Sequence, residues 1–131
     1  MEVPKLSGCI RFYQQKGCVL IVAEIFGLPR ENETGFFGFH IHQGESCSGT
    51  DFSRTGSHYN PADQVHPKHA GDLPPLMCCR GNAYLTVKTD QFTVHDIIGK
   101  TVVIHSDPDD FHTQPAGNAG KKIACGVICK G

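Results

Sequence analysis

Net charge is almost absent from this chain: 12 lysines and arginines face 13 aspartates and glutamates, a formal −1 with histidines neutral. No global field therefore draws it toward nucleic acid or an anionic membrane. No basic run is interleaved with aromatics, so a nucleic-acid partner is not expected. Long hydrophobic runs are missing too. The longest, Cys18 to Ala23, is far too short to span a bilayer, and no membrane partner is expected. Met1 to Leu6 contains Glu2, Pro4 and Lys5 and is unlike a secretory leader. A cytoplasmic protein is the expectation, with a secreted or periplasmic form whose leader has been removed as the alternative. No CxxC pair occurs, which argues against a zinc ribbon or a thioredoxin-type motif. Seven cysteines are an odd number, and the adjacent Cys78 and Cys79 are poorly placed to pair with each other. Most thiols are therefore expected to be free, which favours a reducing or anoxic setting.

The 131 residues fit one domain, 1–131, able to bury roughly two-thirds of the surface of its unfolded form. Strand signals recur at short spacing and no amphipathic helix stands out. Gly8 to Gln15 sets Ile10 and Phe12 against Arg11 and Tyr13, and Lys16-Gly17 makes a turn. Cys18 to Phe26 is β-branched and apolar, closed by Gly27-Leu28-Pro29. After a polar loop, Arg30 to Thr34, a strand is predicted over Phe36 to His42. Gln43 to Leu76 reads as 34 residues of loop, a length that is usually functional or disordered. Strands resume at Asn82 to Thr89, with Phe92 to Val94 continuing after a bend, then Thr101 to His105 and Lys122 to Cys129. The pattern predicts an all-β domain, a sandwich or flattened barrel of seven to eight antiparallel strands with two long loops.

Eight histidines are dense for this length, and most sit where strands meet the long loops. His40 and His42 lie two apart at a strand end, so both point to one face with Cα atoms about 6.5–7 Å apart. Two imidazoles so placed can converge on one metal, although an H-x-H pair alone is weak evidence. The loop adds His58, then His66, His69 and Asp72 at intervals of three. Three imidazoles with a carboxylate make a closed set suited to tetrahedral zinc. A solvated polar loop is the plainer reading, but so long a loop needs something to pin it, and metal binding can order its ligands. His105 ends another strand, and the all-nitrogen set His40, His42, His58 and His105 suits Cu(II). With His58 shared, seven residues offer eight donor atoms to a paired copper and zinc site.

The segments FGFHIHQG, GSHYNP, HPKHAGD, VVIHSDPDD and GNAGKKIACGVI, in this order, resemble the Cu,Zn superoxide dismutase family from about Ser7 to Gly131. The resemblance implies a Greek-key β-sandwich or barrel and disproportionation of superoxide to O2 and hydrogen peroxide. It implies copper on His40, His42, His58 and His105, and zinc on His58, His66, His69 and Asp72. His58 would bridge the metals and pass a proton, while zinc on its opposite nitrogen holds and tunes the ring. Asp109 matches a carboxylate that links the outer nitrogens of His40 and His66. Cys47 and Cys125 match an intrachain disulfide. Cys47 lies five residues after His42, a spacing closer to the bacterial branch than to the animal one.

Several positions depart from the family pattern. Lys122, preceded by Lys121, stands where the family places an anion-binding arginine, keeping the charge without the rigid two-donor fork. Ala116 replaces a threonine that narrows the channel in many members. Seven residues separate Asp109 from Gly117, and two separate His66 from His69, so both loops are short. His112 lies in the first of these, either lining the channel or facing solvent. The family's first strand is missing or reduced to Met1 to Leu6, which would leave an unpaired edge and the possibility of a homodimer. Cys18 and Cys129 read as buried small hydrophobes, Cys9 has no assigned role, Cys78-Cys79 are soft enough to bind Cu(I), and His95 reads as a surface residue. The leading expectation is a superoxide dismutase. The alternatives are a domain that stores or buffers copper and zinc with little turnover, or a structural β-domain that keeps only zinc.

Overall fold

Alternation of apolar and polar side chains builds two three-stranded antiparallel sheets in the computed structural model, which describes residues 6–131. The strands are β1 (Ser7–Gln15), β2 (Cys18–Phe26), β3 (Phe36–Phe37), β4 (Phe39–His42), β5 (Leu76–Met77), β6 (Ala83–Thr89), β7 (Thr101–His105) and β8 (Lys122–Val127). One sheet runs β1-β2-β6, the other β4-β7-β8, and β3-β5 forms a small ribbon. The only helices among the described residues are a 3-10 turn at Thr50–Thr55 and the single-turn α1 (Val94–Ile97), so none is long and apolar enough to cross a membrane.

Val19, Ile21, Ala23 and Ile25 of β2 face Phe39 and Ile41 of β4 and Val102 and Ile104 of β7 across one core. Each large side chain fully buried there contributes about 1.5–3 kcal/mol. The same period of two decides what lies on the other face of the β4-β7-β8 sheet. Antiparallel register sets His40 opposite Val103, His42 opposite Thr101, and His105 opposite Lys122. These residues therefore share the face turned away from the core, and Cys125, opposite Val103, shares it too.

The 34-residue loop is pinned onto that sheet rather than left free. Tyr59 donates its N–H to Ile41 O (2.8 Å), Ile41 donates to Gly71 O (2.9 Å), and Gly44 donates to Thr55 O (2.7 Å). Single bridges join His42 to His58 and His40 to Asp72. Leu76, assigned to the loop's end by sequence, is instead in β5.

Other elements also differ from expectation. The strand expected over Phe36 to His42 breaks at Gly38, whose N–H bonds Asp107 O and whose carbonyl accepts from His105 N. A side chain there would collide with Ala119 and His105. Val94, expected in a strand, begins α1 because Thr93 and Asp96 close a reciprocal capping box. β8 stops at Val127, two residues early, where Ile128 turns to pair with Gly99 and Lys100. Cys129 is thereby exposed, not a buried hydrophobe, while Cys18 is half-buried. The expected remnant of a first strand, Met1 to Leu6, lies outside the described residues except for Leu6, which is in no strand.

Candidate metal centre

Six histidines and two aspartates converge between the outward face of β4-β7 and the loop that crosses it. His40, His42, His58, His66, His69, His105 and Asp109 are all buried. Four buried ring nitrogens among the described residues have no hydrogen-bond partner: His40 Nδ1, His58 Nε2, His66 Nδ1 and His105 Nδ1. Unpaired buried polar atoms are costly, so a cluster of them signals a missing ligand rather than a finished core.

Two donor sets emerge, and His58 belongs to both. In the first, His40, His42, His58 and His105 each offer a nitrogen within 4.8 Å of the others. In the second, His58 Nδ1 lies 2.7 Å from Asp72 Oδ1 and 3.3 Å from His69 Nδ1. Asp72 Oδ2 is 3.0 Å from His66 Nδ1 and 3.1 Å from His69 Nδ1. Donors about 2 Å from a shared ion must approach one another in this way. Three nitrogens with one carboxylate suit zinc, and an all-imidazole set suits copper, so the residues present fit both metals.

Hydrogen bonds on the outer nitrogens decide which lone pairs point inward. His40 Nε2 donates to Asp109 Oδ2 and His66 Nε2 to Asp109 Oδ1, each at 2.7 Å, which leaves both Nδ1 atoms as acceptors or ligands. His42 Nδ1 donates to Gly56 O at 2.8 Å, freeing Nε2. Asp109 also accepts from Phe111 N. Gly117, in a left-handed conformation, has no room for a side chain beside Asp109 and His66, so a glycine is required there. Gln114 clamps His66 by accepting from its N–H (2.9 Å) and donating to its carbonyl (2.7 Å).

Burial disfavours the charged form of three of these imidazoles, His42, His58 and His105. Burial first, then neighbouring histidines and Lys122, push His42 down to about 2 against the pull of the Gly56 carbonyl. Burial first, then the nearby His40, pushes His105 down to about 3. Burial likewise lowers His58. Burial would raise Asp72 and Asp109, but hydrogen bonds from His58 to the one and from His40 and His66 to the other outweigh it. Both carboxyls are held below their ordinary range. Neutral imidazoles beside ionised carboxylates are the protonation states that metal ligands need.

An open pocket of about 940 Å3 leads to this cluster and is lined by His42, His58, His105, Gln114, Ala116 and Lys122, among others. Lys122 is the one lysine or arginine among its described lining residues. His112 is not in the lining; its side chain is 80% exposed, as is expected of a solvent-facing histidine. His95 and Lys121 are exposed as well. Cys47 and Cys125 form a disulfide with Cα atoms 5.8 Å apart, tying the loop to β8. Cys9, Cys18, Cys78, Cys79 and Cys129 are free, and no metal-binding grouping of the described residues includes Cys78 or Cys79. Gln114, Thr55 and Gly56 act through hydrogen bonds and Gly117 by its lack of a side chain, all from segments whose sequence carries no periodic signal of these roles.

Comparison with known proteins agrees with this geometry. Residues 6–128 match the family model of copper/zinc superoxide dismutase. Superoxide dismutase [Cu-Zn] 2 of Aquifex aeolicus is 38% identical over 95% of this chain and 80% of its own length. Superoxide dismutase [Cu-Zn] 3 of Arabidopsis thaliana is 34% identical over 94% of this chain and 82% of its own. The crystal structure of a SOD-like protein from Bacillus subtilis is 28% identical with a TM-score of 0.78, covering 90% of this chain and 87% of that one. Superoxide dismutase 5 of Candida albicans, 21% identical with a TM-score of 0.68 over 97% of this chain and 84% of its own, shares the fold. The chain belongs to the copper/zinc superoxide dismutase family, whose Greek-key β-barrel it adopts.

Proposed function

We propose that this chain disproportionates superoxide, with copper held by His40, His42, His58 and His105 and zinc by His58, His66, His69 and Asp72. The observation that carries the reading is the two-sided placement of His58. Its Nδ1 faces Asp72 and His69, while its Nε2 is buried and unpartnered toward the all-histidine set. Bound copper would supply the one-electron chemistry that turns two superoxide anions and two protons into O2 and hydrogen peroxide. The chain's own residues do the rest. Lys122 draws the anion into the pocket, the only lysine or arginine among the described lining residues to do so. His58 Nε2 is the site at which a proton can be held between the two halves of the reaction. Asp109 fixes the tautomers of His40 and His66 together.

A second reading, storage or buffering of copper and zinc with little turnover, is favoured by one feature: a lysine rather than a bidentate arginine at the pocket. Metal content of purified protein, then superoxide consumption by stopped flow before and after copper loading, separates the two. Stoichiometric copper without fast consumption would support storage.

The outer edges of β1 and β8, which pair with no strand among the described residues, and the groove of about 950 Å3 between them support self-association as a homodimer. Sedimentation across a concentration series tests it. The five free thiols support a cytoplasmic setting, which cell fractionation tests. Near-neutral charge supports a protein that acts without nucleic acid or membrane.

A further inference from the structure

Lysine is a poor substitute for a rigid anion receptor, because its ammonium rotates freely on a four-carbon stem. Here it does not swing free. Lys122 Nζ donates to Thr55 Oγ1 at 2.7 Å and to the Gly56 carbonyl at 3.0 Å. An ammonium has three donors, so two are committed to the protein and one is left for the pocket.

Thr55 is built to hold this bond. It is fully buried, and its hydroxyl donates to Phe52 O at 2.8 Å, leaving the oxygen lone pairs to face Lys122. Asp51 and Phe52 adopt left-handed conformations, which bring the Phe52 carbonyl round to that hydroxyl. The Thr55 carbonyl accepts from Gly44 N at 2.7 Å, and Gly44 O accepts from Thr101 Oγ1 at 3.0 Å, so Thr55 is fixed to the ends of β4 and β7. The Cys47–Cys125 bridge ties the same loop to β8, three residues beyond Lys122. The Gly56 carbonyl accepts from both Lys122 Nζ and His42 Nδ1, so the ammonium and a metal-facing imidazole share one anchor.

We infer that Thr55 is a positioning residue: its hydroxyl immobilises the Lys122 ammonium and aims its remaining donor at an anion approaching His42 and His105. The inference rests on reading Lys122 as the receptor of superoxide, and the test separates the two.

Azide serves as the probe anion, titrated into copper- and zinc-loaded protein and followed by its absorption with copper. Thr55→Val, close in volume but without the hydroxyl, is expected to weaken azide about five- to tenfold, the net effect of losing one ordinary hydrogen bond. Thr55→Ser should restore parental affinity, and Thr55→Val should add nothing in a Lys122→Ala background. If Lys122→Ala weakens azide but Thr55→Val does not, the clamp is refuted while Lys122 keeps its role. If Lys122→Ala binds azide like the parent, the receptor reading itself falls, and the clamp with it. Should Thr55→Val fail to fold, nitrogen-15 NMR of the lysine ammonium groups in the unsubstituted loaded protein decides. Restricted rotation and slow proton exchange at Lys122 are expected, and a freely rotating ammonium there overturns the inference.

Discussion

Asp109 and His40 meet at 2.7 Å, and the other oxygen of the same carboxylate takes an equal bond from His66. One side chain thereby sets the inward-facing nitrogen of a residue from each donor set. Asp109→Ala should free both rings to rotate and lower affinity for zinc and for copper about 10–100-fold. Chelator competition for each metal measures this. Unchanged affinity for both metals would show that the rings are held by packing alone.

Saturation with both metals should give two ions per chain. His66→Ala should lose zinc, whereas His40→Ala should lose the preference for copper over zinc in the all-histidine set. Mass spectrometry of the native protein counts the ions. A saturated sample that holds one ion per chain would defeat the bridged arrangement.

The shared face of the strand histidines is legible in the sequence because period-two geometry is strict. With β4 a strand, His40 and His42 share a face and Ile41 enters the core. His105 was legible as the end of a β-branched run, and the antiparallel register carries it to the same face. What the sequence does not reveal has no period. α1 is one turn long, too short for a helical pattern, and only the Thr93–Asp96 spacing hinted at it. Thr55 looks like any loop threonine until two left-handed residues before it turn its hydroxyl inward. The apolar neighbours of Cys129 predict burial, but the strand ends before reaching it.

Reduction of the Cys47–Cys125 bridge, which spans 78 residues, should lower stability by roughly 3–5 kcal/mol. Thermal unfolding of Cys47→Ser against the parent measures the loss. Peptide mapping without reduction should recover this pair linked and the other five cysteines free. Recovery of Cys47 as a free thiol would contradict the structure.

Metal-free protein should weaken steadily on acidification. His42 and His105 stay neutral in the fold, at about 2 and about 3 against an ordinary 6.5, because burial disfavours their charge. Below about pH 6.5 the unfolded chain binds protons at these histidines and the folded chain does not, so stability falls from there toward pH 3. Asp72 and Asp109, depressed in the fold, act in the same direction. Their contribution is present above the unfolded carboxyl range and is lost as pH falls through the folded values. Unfolding temperature of the metal-free form between pH 8 and pH 4 should therefore decline most steeply below pH 6.5. A flat profile would mean that these rings are solvated.

Charge at the pocket should govern capture of superoxide. Lys122 is the one lysine or arginine among the described residues that line it, and Asp63 at the same wall offers only repulsion. Burial lowers the Lys122 ammonium from its ordinary range, but a group starting at 10.5 with carbonyl and hydroxyl acceptors remains the natural seat of positive charge here. Removing it in Lys122→Ala should slow superoxide consumption about tenfold or more at low salt, since steering accelerates association by that order. The remaining rate should depend less on ionic strength, because screening acts on the lost attraction. Lys122→Arg should keep or raise the rate, as its fork can still reach Thr55 and Gly56 while offering more donors to the anion. The measurement is turnover of fully loaded variants across a salt series. If Lys122→Ala matches the parent in both rate and salt slope, the guiding charge lies elsewhere, and the exposed Lys121 is the next residue to change.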